Sequence, residues 1–198
     1  MNSQVLAAFL ALGLCTGAAH ADTNLLGDGN FESFSAQVAN GTYTAFYGGT
    51  IGAWTVTGSV DLIRNAYGAI DDISVDLAGT PGPGWISQTF NAVAGQTYTL
   101  SWDLSKNGPG TQLDVSFGGV TTSYAPVASV ANETLSWTAT VSGLQTVSFG
   151  TAVASYQGPV VDNISLTTVS AVPEPASYTL MLAGLATVGL IAGRRKQR

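Results

Sequence analysis

The chain has 198 residues, of which 9% are charged, and a formal net charge of −6 at pH 7. Between Asp22 and Ser170 eleven acidic residues face only Arg64 and Lys106, a balance of −9 that repels phosphate backbones and speaks against nucleic-acid binding. The single cysteine, Cys15, and the single histidine, His20, both fall within the first 21 residues, so the remainder has no disulfide, no Ser-His-Asp or Cys-His arrangement and no histidine-based zinc site.

Residues 1–21 read as a signal peptide. Val5 to Leu14 is apolar, and the chain then becomes small and polar up to Ala19-His20-Ala21, the small-x-small pattern that signal peptidase accepts. The mature chain is expected to begin near Asp22. Met1 to Gln4 holds no Lys or Arg, so only the amino terminus supplies positive charge there, and Leu14 before Cys15 argues against lipidation.

Residues 22–170 have the length of one domain. Period-two alternation recurs through it, the pattern of strands with one buried face. Ile73, Val75 and Leu77 form one such face, and Tyr98, Leu100, Trp102 and Leu104 a second. Leu113, Val115 and Phe117 follow, then Leu135, Trp137, Ala139 and Val141, then Val147 and Phe149, and finally Ile164 and Leu166. Turn-rich stretches at 79–84, 94–96, 107–110 and 118–119 separate them. No segment shows a 3.6-residue period. The expected fold is all-β: eight to ten short antiparallel strands in a two-sheet β-sandwich, a jelly roll ahead of an immunoglobulin-like arrangement.

Within this domain Asn24-Leu25-Leu26-Gly27-Asp28-Gly29-Asn30-Phe31-Glu32, Trp54-Thr55-Val56, Ser74-Val75-Asp76-Leu77, Gly95-Gln96-Thr97-Tyr98 and Gly158-Pro159-Val160-Val161-Asp162-Asn163 resemble the choice-of-anchor C domain over residues 24–168. That family is similar to galactose-binding-like jelly rolls found in carbohydrate-binding modules. The resemblance implies a fold and brings no activity with it.

Candidate chemistry is sparse. Asp61, Asp71, Asp72, Asp76, Asp103 and Asp114 allow a carboxylate pair for glycoside hydrolysis, but their spacing singles out no two, and turn-making or solubility accounts for most. Structural calcium is the better candidate: related carbohydrate-binding modules hold it between the first and last strands, which places Glu32 and Asp162 as ligands, with Asn30 and Asp28 adding oxygens. For sugar stacking, Trp54, Trp102 and Trp137 share the apolar parity of their strands and belong to the core. Trp85 is out of phase with Ile86 and Phe90, and with the loop tyrosines Tyr67, Tyr124 and Tyr156 it forms the candidate carbohydrate-binding set.

Residues 171–198 read as a second address. Pro173-Glu174-Pro175 stays extended, because neither proline joins a helix interior. Ala176 to Ala192 is an apolar run, roughly 25 Å long as a helix and at the short limit for spanning a bilayer. Arg194, Arg195, Lys196 and Arg198 follow and would remain on the cytoplasmic side of the inner membrane. This order of parts resembles the PEP-CTERM sorting signal of bacteria that make exopolysaccharide. The resemblance implies recognition by the membrane transpeptidase exosortase and only transient anchoring. The expected function is an exported, non-catalytic protein of the cell surface or extracellular polysaccharide matrix; a glycan hydrolase and a self-associating adhesin are the alternatives.

Overall fold

The alternating segments are strands in the computed structural model, which describes residues 23–109, 111–168 and 184–185. In chain order they are β1 (Tyr43–Tyr47), β2 (Thr50–Ile51), β3 (Trp54–Arg64), β4 (Ile73–Asp76), β5 (Gly84–Ala92), β6 (Thr97–Lys106), β7 (Leu113–Phe117), β8 (Val120–Tyr124), β9 (Ala131–Thr138), β10 (Gly143–Gly150) and β11 (Pro159–Thr168). Among the described residues there are thus eleven strands, not eight to ten. The sequence hides β1, whose apolar residues occupy both parities, and β2, which is two residues long.

Every pairing is antiparallel, and two sheets result. The first has the order β1-β3-β4-β11-β6-β9, and the second β2-β3-β5-β10-β7-β8. Strand β3 belongs to both: Thr55 to Gly58 pair with β5, while Ser59 to Ile63 pair with β1. This is the jelly-roll β-sandwich that the alternation implies, with β3 carrying the chain from one sheet to the other.

Between the sheets lies an aromatic core. Trp54, Trp102, Phe31 and Phe149 are fully buried, and Phe149 meets Trp102 edge-on at 5.4 Å and Trp54 at 6.1 Å. Trp137 is partly buried, packing against Tyr98 at 5.9 Å and Phe117 at 5.7 Å. Val141, assigned to the strand face by parity, is 60% exposed because β9 ends at Thr138.

Residues 24–32 form no strand. They run along β11 all the same: Leu25 N donates to Leu166 O at 2.8 Å, Ile164 N to Gly29 O at 2.9 Å, and Leu166 N to Asn24 Oδ1 at 2.9 Å. Glu32 therefore opens a 3-10 turn, Glu32–Phe34, and does not follow the start of a strand. All these elements belong to one compact unit, Asp22–Val169.

Elsewhere only Gly184 and Leu185 are described, both helical. The signal peptide 1–21, the motif Pro173, Glu174, Pro175, the rest of the apolar run 176–192, and Arg194 with Arg195 lie outside the described residues. Among the described residues no helix is long and apolar enough to cross a membrane.

Candidate functional site

The outer face of the first sheet is not left to solvent. The loop joining β3 to β4 folds back over it: Ser105 Oγ donates to Gly68 O, and Ile70 N donates to Ser74 Oγ at 2.9 Å. Gly68, at φ 83°, rests so close to Lys106 O that any side chain there would collide with it. Outward-pointing aspartates are enclosed on this face. Asp61 is 4% exposed, and Asp76 and Asp162 are fully buried, so the turn-making or solubility expected for most of the aspartates does not describe these; connections that the strand pattern does not show close over them, with Ala78 and Thr80 between β4 and β5 and Asn107 after β6 meeting Asp76 and Asp61.

Each enclosed carboxylate is hydrogen-bonded, as burial requires. Asp61 accepts from Thr80 N at 3.0 Å and Thr80 Oγ1 at 2.9 Å. Asp76, its direct partner across β3 and β4, accepts from Asn107 Nδ2 at 2.8 Å and Ala78 N at 2.9 Å. Asp162 accepts from Ser74 Oγ at 2.8 Å and Asn163 N at 2.7 Å. Among the described residues no Lys or Arg pairs with them: Arg64 is held by Asp72 at 3.0 Å and by the carbonyls of Ser35 and Val38. Desolvation pushes Asp76 up to about 7 against its hydrogen bonds, with the Asp61 charge adding to the rise. Burial raises Asp61 as well, opposed by both Thr80 bonds. Asp162 also rises to about 7, through burial first and then the charges of Asp71 and Glu32.

Beside Asp61 a cleft of about 200 Å³ opens. Its walls are aromatic: Tyr43 from β1, Tyr67 from the covering loop and Tyr156 from the β10–β11 connection, with Tyr43 and Tyr67 edge-to-face at 5.8 Å. Tyr67 adopts φ 57°, and Tyr156 is 70% exposed. Asp61, Asn107, Gln157 and Thr80 supply the polar groups. Tyr47 Oη donates to Thr80 O at 2.6 Å and ties β1 to the turn that forms one rim. Flat rings beside fixed acceptors and donors form a surface suited to a sugar: rings cover the C–H face, and amide or carboxylate groups meet the hydroxyls.

The four residues chosen from sequence occupy three places. Tyr67 and Tyr156 meet in the cleft. Tyr124 packs edge-on against Trp102 at 5.1 Å, on β8 of the other sheet. Trp85 lies half-buried on the outer face of that second sheet, its ring against Gly150, its partner on β10. Tyr43 and Asp61 were missed as site residues. The period-two set Tyr43, Ala45, Tyr47 was the available signal for Tyr43; for Asp61 there was none.

For calcium, the donors are right in kind and short in number. Glu32 is near enough to Asp162 for its charge to raise it, yet Glu32 Oε1 already accepts from Ile73 N at 3.0 Å, Asp28 Oδ2 accepts from Ala53 N at 2.9 Å, and Asn30 is exposed. Among the described residues no group of three His, Cys, Asp or Glu side chains is placed to hold a metal. A hard cation there would take its further oxygens from carbonyls. As to hydrolysis, Asp76 is sealed from the cleft's solvent and cannot reach a glycosidic oxygen as an acid must.

No curated protein sequence matches the chain. Among solved structures it is similar to a family 4 carbohydrate-binding module (16% identity, TM-score 0.46, covering 71% of this chain and 97% of that one). It is also similar to a family 61 module in complex with β-1,4-galactotriose (16%, 0.46, 73% and 97%). A third is the tandem family 22 pair of Paenibacillus barcinonensis Xyn10C (15%, 0.47, 80% and 48%). Residues 171–196 match the PEP-CTERM protein-sorting motif, which marks the chain for export. Residues 24–167 match the family described as protein of unknown function (DUF642), and the chain belongs to that family.

Proposed function

We propose that the chain is an exported, non-catalytic glycan-binding protein of the cell surface or extracellular polysaccharide matrix, holding sugar in the cleft of Tyr43, Tyr67 and Tyr156. The observation that carries this reading is the convergence of three tyrosines from separate elements around Asp61 and Asn107. The resemblance to the choice-of-anchor C domain, whose members bear alternative sorting signals, belongs to the same reading. Affinity electrophoresis in gels containing the host's own polysaccharide tests it. Tyr67→Ala and Tyr156→Ala should each migrate faster than the parent while melting at its temperature; equal retardation of parent and variants removes the cleft from consideration. Shortening of the polysaccharide by the parent chain would instead establish the hydrolase alternative.

Sorting by exosortase is part of the proposal. Glu174→Ala, or deletion of residues 194–198, should leave the unprocessed chain in the inner membrane, and normal processing of both variants in the host would refute it. Calcium at Glu32 and Asp162 is a separate structural proposal, supported by two adjacent carboxylates without a cation.

A further inference from the structure

We infer that the cleft selects its glycan by charge, taking chains with free amino groups ahead of neutral ones, and neutral ones ahead of chains bearing carboxylates. This rests on the glycan reading and names the chemical class of the occupant. Three tyrosines and one carboxylate line a single hollow, and no Lys or Arg lines it. Ring faces attract an ammonium through their quadrupole, and a carboxylate acceptor strengthens that hold through a charged hydrogen bond. Behind Asp61 stands the fully buried Asp76, its strand partner, which no Lys or Arg among the described residues pairs with. An ammonium brought to Asp61 supplies the missing positive charge. A neutral hydroxyl donates to Asp61 without relieving it. A uronate brings a negative charge to a carboxylate that is already poorly solvated, an arrangement that like-charge repulsion in a desolvated site disfavours.

A second hollow, of about 320 Å³, continues past Tyr156. Thr80 and Tyr156 line both hollows, while Pro81, Gly82, Ala154 and Ser155 complete the second, which holds no ionisable group apart from the tyrosine. A chain lying across Tyr156 thus meets the carboxylate at one sugar and an uncharged surface at the next. The charge preference is local to the first hollow.

The test is titration calorimetry of the full chain in detergent. Its panel is tetrasaccharides of glucosamine, N-acetylglucosamine, glucose and C6-oxidised glucose, each in β-1,4, β-1,6 and α-1,4 linkage. Within the linkage that binds, the free amine should bind about tenfold tighter than the neutral sugars, and the acid about tenfold weaker. Asp61→Asn should remove most of the amine preference, whereas Asp114→Asn, on the opposite sheet, should leave it intact. Because the ranking is read on the parent chain, it holds or fails whether or not Asp61→Asn folds. Equal binding of amine and neutral sugar, or binding of the acid as tight as the neutral sugar, overturns the inference and leaves the glycan reading standing. A preference that survives Asp61→Asn, or that Asp114→Asn also abolishes, belongs to the acidic surface at large and overturns it too. Binding by no member of the panel overturns this inference and leaves the glycan reading to the host polysaccharide gel.

Discussion

The two outer faces of the sandwich begin from the same strand alternation and end differently. On the second sheet the outward residues form rows of hydroxyls: Thr55, Ser87, Ser148, Ser116 and Thr121 lie in register across five strands, with Trp85 between Thr57 and Gly150 in the next row. Thr55 and Thr121 are exposed, and Ser116 and Thr121 bond each other at 2.6 Å. On the first sheet the outward residues Asp61, Asp76 and Asp162 are enclosed and carboxylic. Strand parity is the same in both places. What differs is the connection: β5–β6 and β7–β8 are joined by turns of a few residues, while β3–β4 and β10–β11 send longer loops back over the first sheet. The cleft proposed to hold sugar lies where loops turn a sheet face into a hollow.

The sharpest way to test this division is to cut into the core beneath both faces. Trp102 is fully buried between Tyr124 and Phe149. Trp102→Ala should cost roughly 3–5 kcal/mol of stability in a denaturant melt, toward the lower end because its indole N–H has no hydrogen-bond partner to lose. A loss below about 1 kcal/mol would mean that the sheets do not close over this ring as described.

The enclosed face should also announce itself in pH. Asp76 and Asp162 are raised to about 7 in the folded chain, above an ordinary value of 3.8, so between these limits the folded state binds more protons than the unfolded one. Stability is then highest at the acid end and falls as pH rises through about 7, by roughly 1 kcal/mol per pH unit for each carboxyl. Melting temperature should therefore increase from pH 8 to pH 5.5. Asp76→Asn should flatten the rise, while Asp114→Asn on the open face should not. A melting temperature that instead drops on acidification would show that these carboxylates are ionised and compensated in the fold.

How legible each face was follows from the same physics. The strand face of β6 and the turns at 94–96 and 118–119 are local patterns, and the structure has them where the residues place them. Trp54 and Trp102 proved core by parity alone. The cleft is not local. Tyr43, Tyr67 and Tyr156 are brought together by the β1–β3 pairing and two loop paths, and nothing within ten residues of Tyr67 encodes Tyr156. Asp76 alternates with Ile73, Val75 and Leu77 and so faces outward; parity could not say that the face is roofed. Glu32 was expected beside a strand and lies in a 3-10 turn, because Phe31 takes a left-handed φ of 54° that no hydrophobic pattern signals.

Calcium offers a way to sharpen the enclosed face further. Binding only to the folded chain stabilises it by about 2.7 kcal/mol when the cation is at 100 times its Kd, so chelator should lower the melting temperature by several degrees and added calcium should restore it. Glu32→Ala and Asp162→Ala should each end that response. The cation would also hold Asp162 ionised, so in calcium the pH dependence left should be that of Asp76 and Asp61. A melting curve indifferent to chelator at neutral pH means that Asp162 relies on Ser74 and Asn163 alone.

The smallest effect is expected on the open face, and it decides whether that face takes part in binding at all. Trp85 is half-buried against Gly150, so Trp85→Ala removes part of one ring's burial, roughly 1 kcal/mol, well short of the loss at Trp102. Its ring and the hydroxyl rows beside it face away from the cleft, on the other side of a sandwich two sheets thick. Trp85 lines neither of the two hollows that a tetrasaccharide on Tyr43, Tyr67 and Tyr156 would occupy. A polymer network can reach it by laying a second chain on the ring, which adds avidity through effective concentration without altering the first contact. Trp85→Ala should therefore leave tetrasaccharide affinity unchanged and reduce retardation in polysaccharide gels by about twofold. Should tetrasaccharide binding fall as far as it does in Tyr156→Ala, the sugar site is on the open face and the cleft must be reassigned. Should retardation in the gel be unaffected, Trp85 has no part in glycan binding, and the hydroxyl rows need no ligand to explain them.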